Sequence, residues 1–182
     1  MAYKLISVKT VAAIIIGALL MFVLMRFISI STGVPDTYIN LGVAILAAFA
    51  AIFGPIAGFL IGFIGHALVD LSWGGIWWSW VISSALCGLI IGFFWKNYRI
   101  EENGFGVKQA VVFNFVQIIA NIVAYVFIAR TLDLMIYQEP FGKVSLQGFT
   151  AAGLNSAVVL ILGTLLIFGY SKIKFRAGSR KN

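Results

Sequence analysis

Long apolar runs cover most of the chain, interrupted at only a few points by charge, glycine or proline. About 20 consecutive apolar residues span a bilayer as a helix. By that measure the pattern predicts six helices, over 10–29, 39–53, 55–72, 77–95, 108–130 and 146–170. The runs are continuous rather than alternating, so helices are expected and not the strands of a barrel. Gly54-Pro55 separates the second helix from the third, because this pair breaks one helix and proline suits the first turn of the next. Each of these two is slightly short for a perpendicular crossing. The first run follows Lys4 and Lys9 as a signal peptide would, but no small-x-small cleavage site precedes Arg26, so it is expected to be a retained helix.

Composition turns this pattern into a class. The chain is 62% hydrophobic and 10% charged with mean hydropathy +1.04, against about 25% charged in soluble domains. One core could not hide so much apolar surface, and the surface itself must face lipid. The expectation is a single all-α integral membrane domain over 1–182. A lone Cys87 excludes an internal disulfide and a cysteine metal cluster.

The net charge of +7 could suggest nucleic acid, but its distribution points elsewhere. Six spans would put both termini on one side. The segments on that side hold Lys4, Lys9, Lys96, Arg99, Lys108, Lys172, Lys174, Arg176, Arg180 and Lys181, and the other side holds Arg26, Arg130 and Lys143. Ten against three is the bias of a chain with cytoplasmic termini, with the basic tail against anionic lipid. Glu101 and Glu102 fall inside, while Asp36, Asp70, Asp133 and Glu139 fall outside. Nucleic acid is therefore not an expected partner.

The outer connections are then "FISISTGVPDTYINLG" (27–42), "DLSWGGIW" (70–77) and "RTLDLMIYQEPFGKVS" (130–145). Two are long and rich in Pro, Gly and aromatic residues, and long loops carry function. Leading into the second connection, Gly54, Gly58, Gly62, His66 and Asp70 recur every four residues. The fourth helix answers with Ser84, Gly88 and Gly92, so small-xxx-small packing of the third helix on the fourth is expected. His66 and Asp70 sit one turn apart at the outer end. Either Asp70 lies at the water interface above a hydrogen-bonded core histidine, or at least one of them binds a ligand. No second histidine or cysteine pair supports a metal site, and none is expected.

Asn114, Gln117 and Asn121 share one face of the fifth helix. They read as interhelical glue or as a polar wall, with Asn121, nearest the outside, as the wall candidate. Asn155 and Arg26 come to a comparable outer depth, and Tyr137 lies in the third outer connection. Trp73, Trp77, Trp78 and Trp80 read as an interfacial belt, or as a lid and stacking surface for a bulky organic ligand. There is no phosphate loop, metalloprotease motif, nucleophile elbow or paired carboxylate within the spans, so no catalytic residue is expected.

The strings "SVKTVAAIIIGALL" (7–20), "FGPIAGFLIGFIGHALVD" (53–70) and "WWSWVISSALCGLIIG" (77–92) resemble the S-component of an energy-coupling factor (ECF) transporter. Within that group the chain is similar to an uncharacterised-protein family whose members resemble cobalamin-specific S-components. The resemblance implies a six-helix prokaryotic plasma-membrane protein that captures a vitamin, cobalamin first, from outside. It implies a transmembrane coupling subunit and two cytoplasmic ATPases as partners, with no cofactor of its own. S-components dock through an alanine-xxx-alanine pattern on the first helix, and Ala13 and Gly17 stand at the matching positions. Another cargo such as hydroxymethylpyrimidine, or a self-sufficient carrier, are the alternatives. The expected binding residues are His66, Asp70, Trp73, Trp77, Trp78, Asn121, Asn155, Arg26 and Tyr137.

Overall fold

The computed structural model describes residues 7–98, 100 and 104–179, with side chains up to 174. Among the basic and acidic positions assigned to a side above, Lys4, Arg99, Glu101, Glu102, Arg180 and Lys181 lie outside the described residues, as does the side chain of Arg176.

Helix α1 (Val8–Phe27) starts where Ser7 accepts the N–H of Thr10 at 3.1 Å, which satisfies one free donor of the first turn. Strands β1 (Ser29–Ser31) and β2 (Tyr38–Asn40) follow as an antiparallel hairpin with Ile30 opposite Ile39. Sequence reading leaves this stretch an irregular connection, since strands of three residues are too short for a period to emerge. Next come α2 (Gly42–Phe53) and α3 (Pro55–Trp73). Gly54 between them has φ of 91°, in the region that favours glycine, and Pro55 takes the first position of α3.

Helix α4 (Trp78–Phe93) and the single turn α5 (Trp95–Tyr98) come next. Helix α6 (Val107–Asn121) runs through a π-helical segment, Ile122–Ala129, into α7 (Arg130–Ile136) without a break. Helix α8 (Phe141–Val158) continues likewise through Val159–Gly163 into α9 (Thr164–Ser179). The third outer connection therefore shrinks from sixteen residues to 137–140. Arg130 and Asp133 look like loop residues to a hydropathy reading. They are helical because the carboxylate of Asp133 finds its partners inside the protein, as described below.

Among the described residues, four rods are long and apolar enough to cross a membrane: Val8–Phe27, Pro55–Trp73, Val107–Ile136 and Phe141–Lys174. The apolar helices Gly42–Phe53 and Trp78–Phe93 are shorter. Ten of the twelve residues of α2 are buried, so it is a core strut wrapped by its neighbours. By contrast only 33% of the α1 window is buried, which leaves Ile15, Ile16, Leu19 and Leu20 facing outward as a lipid-contacting surface would.

Helices α3 and α4 pack along the glycine stripe. A Cβ on Gly58 would strike the carbonyl of Gly88, and one on Gly62 would strike the carbonyl of Ser84. The amide face of α6 is glue: Asn114 donates to Thr164 at 2.9 Å, and Gln117 donates to the carbonyl of Ser156 at 3.2 Å.

Ala13 and Gly17, the expected docking pair, are buried inside the bundle. A Cβ on Gly17 would lie 2.6 Å from Ile61 and 2.9 Å from Phe49. The small residues of α1 lie on its inner face together with the buried Ile14, Met21 and Met25, and Ile15, Ile16, Leu19 and Leu20 take the outer face.

Candidate binding site

A cavity of about 360 Å³ lies at the hairpin end of the bundle. Helix α3 contributes His66, Val69, Asp70 and Trp73, the turn into α4 contributes Trp77, and the start of α4 contributes Trp80. Helix α8 lines it with Gln147, Ala151 and Asn155, which share one face because they are spaced by four. Tyr125 and Asp133 enter from the rod that leads to α7, and Asp36, Thr37, Tyr38 and Asn40 from the hairpin.

Two hydrogen-bonded networks hold the walls. In the first, His66 Nδ1 and Ser84 Oγ are 2.6 Å apart, and Ser84 Oγ and the Tyr125 hydroxyl are 3.0 Å apart. On the other ring edge, His66 Nε2 stands 3.6 Å from Asp70 Oδ1. Asp70 Oδ2 accepts the backbone N–H of Trp77 at 2.9 Å, which ties the α3–α4 turn to the end of α3. Asp70, His66 and Ser84 have the composition of a nucleophile triad. However, Ser84 is wholly buried between helices and does not line the cavity, so the array orients the imidazole and offers no nucleophile to a ligand.

The second network centres on Asp133. Its Oδ1 accepts the Trp77 indole N–H at 2.7 Å and the Ser79 hydroxyl, and its Oδ2 accepts the Trp80 indole N–H at 3.0 Å. Three donors make a buried carboxylate tolerable. Trp77 also stacks on Tyr137 at 4.1 Å between centroids, and the Tyr137 hydroxyl accepts the N–H of Trp78 at 2.9 Å.

The hairpin is tied down at two points on α8. Gln147 Nε2 donates to the carbonyl of Pro35 at 2.9 Å. Lys143 Nζ lies 3.7 Å from Asp36 and 3.0 Å from Glu139.

Of the residues singled out in the sequence, the cavity brings together His66, Asp70, Trp73, Trp77 and Asn155. The other four do not line it. Arg26 lies over the ring of Trp73 at 4.0 Å, the Trp78 ring packs on Phe63 at 6.2 Å, and Tyr137 backs Trp77. Asn121 spends its amide N–H on Gln117, on the carbonyl at 2.9 Å and on Oε1 at 3.1 Å.

Sequence reasoning missed Asp133, Tyr125, Gln147 and Lys143 as site residues. For the last two a signal exists: Lys143, Gln147, Ala151 and Asn155 repeat every four residues, once the last helix is started at Phe141 instead of 146. Among the described residues no three His, Cys, Asp or Glu side chains converge as a metal site requires.

The family of ECF-type riboflavin transporter S components matches residues 5–172. A UPF0397 protein of Lactobacillus johnsonii is 50% identical over 175 residues, 96% of this chain and 95% of its own. UPF0397 proteins of Lacticaseibacillus casei and Staphylococcus aureus are each 46% identical, over 98% and 96% of this chain and 96% and 95% of theirs. No solved structure matches.

Proposed function

The chain belongs to the family of ECF-type riboflavin transporter S components, and we propose that it captures a vitamin in the cavity beneath the β1–β2 hairpin for import driven by partner ATPases. As a transport subunit it is not itself an enzyme. The observation that carries the reading is the cavity: polar groups converge between aromatic walls at one end of an apolar bundle, and a short hairpin is fastened over it.

The proposal includes six crossings with both termini cytoplasmic, so that the hairpin end opens outside the plasma membrane. It includes a transmembrane coupling subunit and two cytoplasmic ATPases, because the chain carries no phosphate loop to use ATP itself. His66, Asp70, Trp73, Trp77 and Asn155 are the proposed cargo contacts, joined by Trp80, Tyr125 and Gln147. Arg26, Trp78, Tyr137 and Asn121 support the walls.

The cargo follows from size. Cobalamin is what the sequence resemblance implies, and riboflavin stands in the family's name. A volume of about 360 Å³ lies near the lower end of sites for drug-sized ligands, roughly 300–1,000 Å³. This favours a vitamin built on one planar ring system, in the size range of a flavin or a pyrimidine, over a corrinoid. Cobalamin would require the hairpin to leave α8.

The test is binding and uptake. The purified chain alone should bind one member of a panel of riboflavin, thiamine, hydroxymethylpyrimidine and cyanocobalamin. Uptake in cells should stop when the partner ATPases are inactivated. Uptake that persists without ATPase activity, and collapses with the ion gradient instead, would identify a self-sufficient carrier.

A further inference from the structure

We infer that the cargo of this cavity is an aromatic cation: a planar nitrogen heterocycle carrying positive charge, with the Asp70 and Asp133 carboxylates as its counter-charges. The inference rests on the reading of the chain as a vitamin-binding S-component and narrows that reading to a class of ligand.

Charge balance around the cavity is the first observation. Four carboxylates line it, on Asp36, Asp70, Asp133 and Glu139, and of the described lysines and arginines Lys143 lines it with them. Lys143 is engaged at the rim, at 3.0 Å from Glu139 and 3.7 Å from Asp36. Asp70 and Asp133 have no lysine or arginine within ion-pair distance among the described residues. The donors to Asp133 are two indoles and a hydroxyl, all neutral, so no cation is among its hydrogen-bond partners. Asp70 Oδ1 has only the imidazole of His66, at 3.6 Å, which is beyond hydrogen-bond length. Even a protonated His66 would leave one carboxylate without a cation. Buried charge without a counter-charge is costly, and a cationic ligand lowers that cost.

The second observation is independent of the acids. Asn155 is 4% exposed and lines the cavity, yet its carboxamide has no hydrogen-bond partner among the described residues. A buried amide left unpaired marks a place where a ligand completes the bonding. A carboxamide offers a donor beside an acceptor and so matches the donor–acceptor edge of an amino-substituted heterocycle. Trp77, Trp80 and Tyr125 bring aromatic rings to the same cavity, and aromatic rings attract a cation through their quadrupoles.

Calorimetry on the full chain in detergent tests this with three probes: thiamine, a permanently cationic heterocycle with an amino-substituted ring; riboflavin, a neutral flat ring system; and cyanocobalamin. Thiamine is expected to bind at least about tenfold more tightly than riboflavin. Asp70→Asn, which removes charge and keeps shape, should weaken thiamine by about tenfold while leaving the chain monodisperse. Tighter binding of riboflavin or cyanocobalamin than of thiamine overturns the charge inference and leaves the vitamin-binding reading standing. Failure of all three probes overturns the charge inference, and failure of hydroxymethylpyrimidine as well overturns both. Unchanged thiamine affinity in Asp70→Asn also overturns the inference, and should that variant misfold, the comparison of probes on the unaltered chain decides.

Discussion

Asp133 shows how one residue organises a wall. It gathers Trp77 from the turn before α4 and Ser79 and Trp80 from α4 itself, and both indoles are aimed by it. Asp133→Ala would leave three donors without an acceptor, at about 1–3 kcal/mol for each that stays buried. Thermal unfolding should show a clearly lower midpoint, and Asp133→Asn, which keeps an acceptor, should lose less. The same geometry separates two adjacent tryptophans. Trp77→Phe should weaken cargo binding severalfold, because it removes the indole N–H held by Asp133 and shrinks a cavity-lining ring system, whereas Trp78→Phe should leave affinity within about twofold, since that ring packs on Phe63. Equal losses in a calorimetric comparison would return both to one functional surface. His66, Asp70 and Asn155 were legible as candidates because polar groups stand out in apolar sequence. Asp133 was legible only as a loop acid, since nothing near it in sequence announces donors more than fifty positions away.

At the scale of elements, the spacing of small residues has two meanings that only packing separates. Gly58 and Gly62 pair with α4 as their four-residue repeat implies, and a Cβ at either would meet backbone carbonyls that cannot move aside. Gly62→Ala should cost about 1–3 kcal/mol or more. Gly153→Ala, where a Cβ meets nothing within 4 Å on a helix of the same chain, should be neutral or slightly stabilising. Denaturation of the two variants side by side checks the contrast. Ala13 and Gly17 carry the same spacing but face α2 and α3. Gly17→Trp is therefore expected to abolish folding and cargo binding together; a folded variant that binds cargo but no longer transports it would restore docking as the role of that stripe. The two helix ends expected at 130 and 146 lie elsewhere for one reason. Arg130, Asp133 and Lys143 are charged, hydropathy reads charge as loop, and here the charges are absorbed by partners within the protein or by aromatic faces.

For the whole molecule, the cavity closes because three separate segments meet over it: the hairpin, the α3–α4 turn and the short link at 137–140. Lys143 and Gln147 hold the hairpin to α8. Lys143→Gln should loosen this closure and raise the cargo dissociation rate severalfold, measured by displacement of bound vitamin. Sidedness is also testable, because Cys87 is buried and gives little background. Ser31→Cys in the hairpin should react with an impermeant maleimide in intact cells, and Ser7→Cys only after lysis. The reverse pattern would place the cavity mouth inside.

The sequence by itself determined that this is a helical protein of the membrane, that Gly54-Pro55 turns the chain, and that α3 and α4 meet along glycines. Those properties are written in runs and periods, which are local. The tertiary structure alone decided which polar residues share the cavity and which merely brace it. It also decided that α2 is a core strut, and that the small face of α1 turns inward. These outcomes depend on which helix lies beside which, and a carboxylate and an indole more than fifty residues apart leave no mark on the pattern between them.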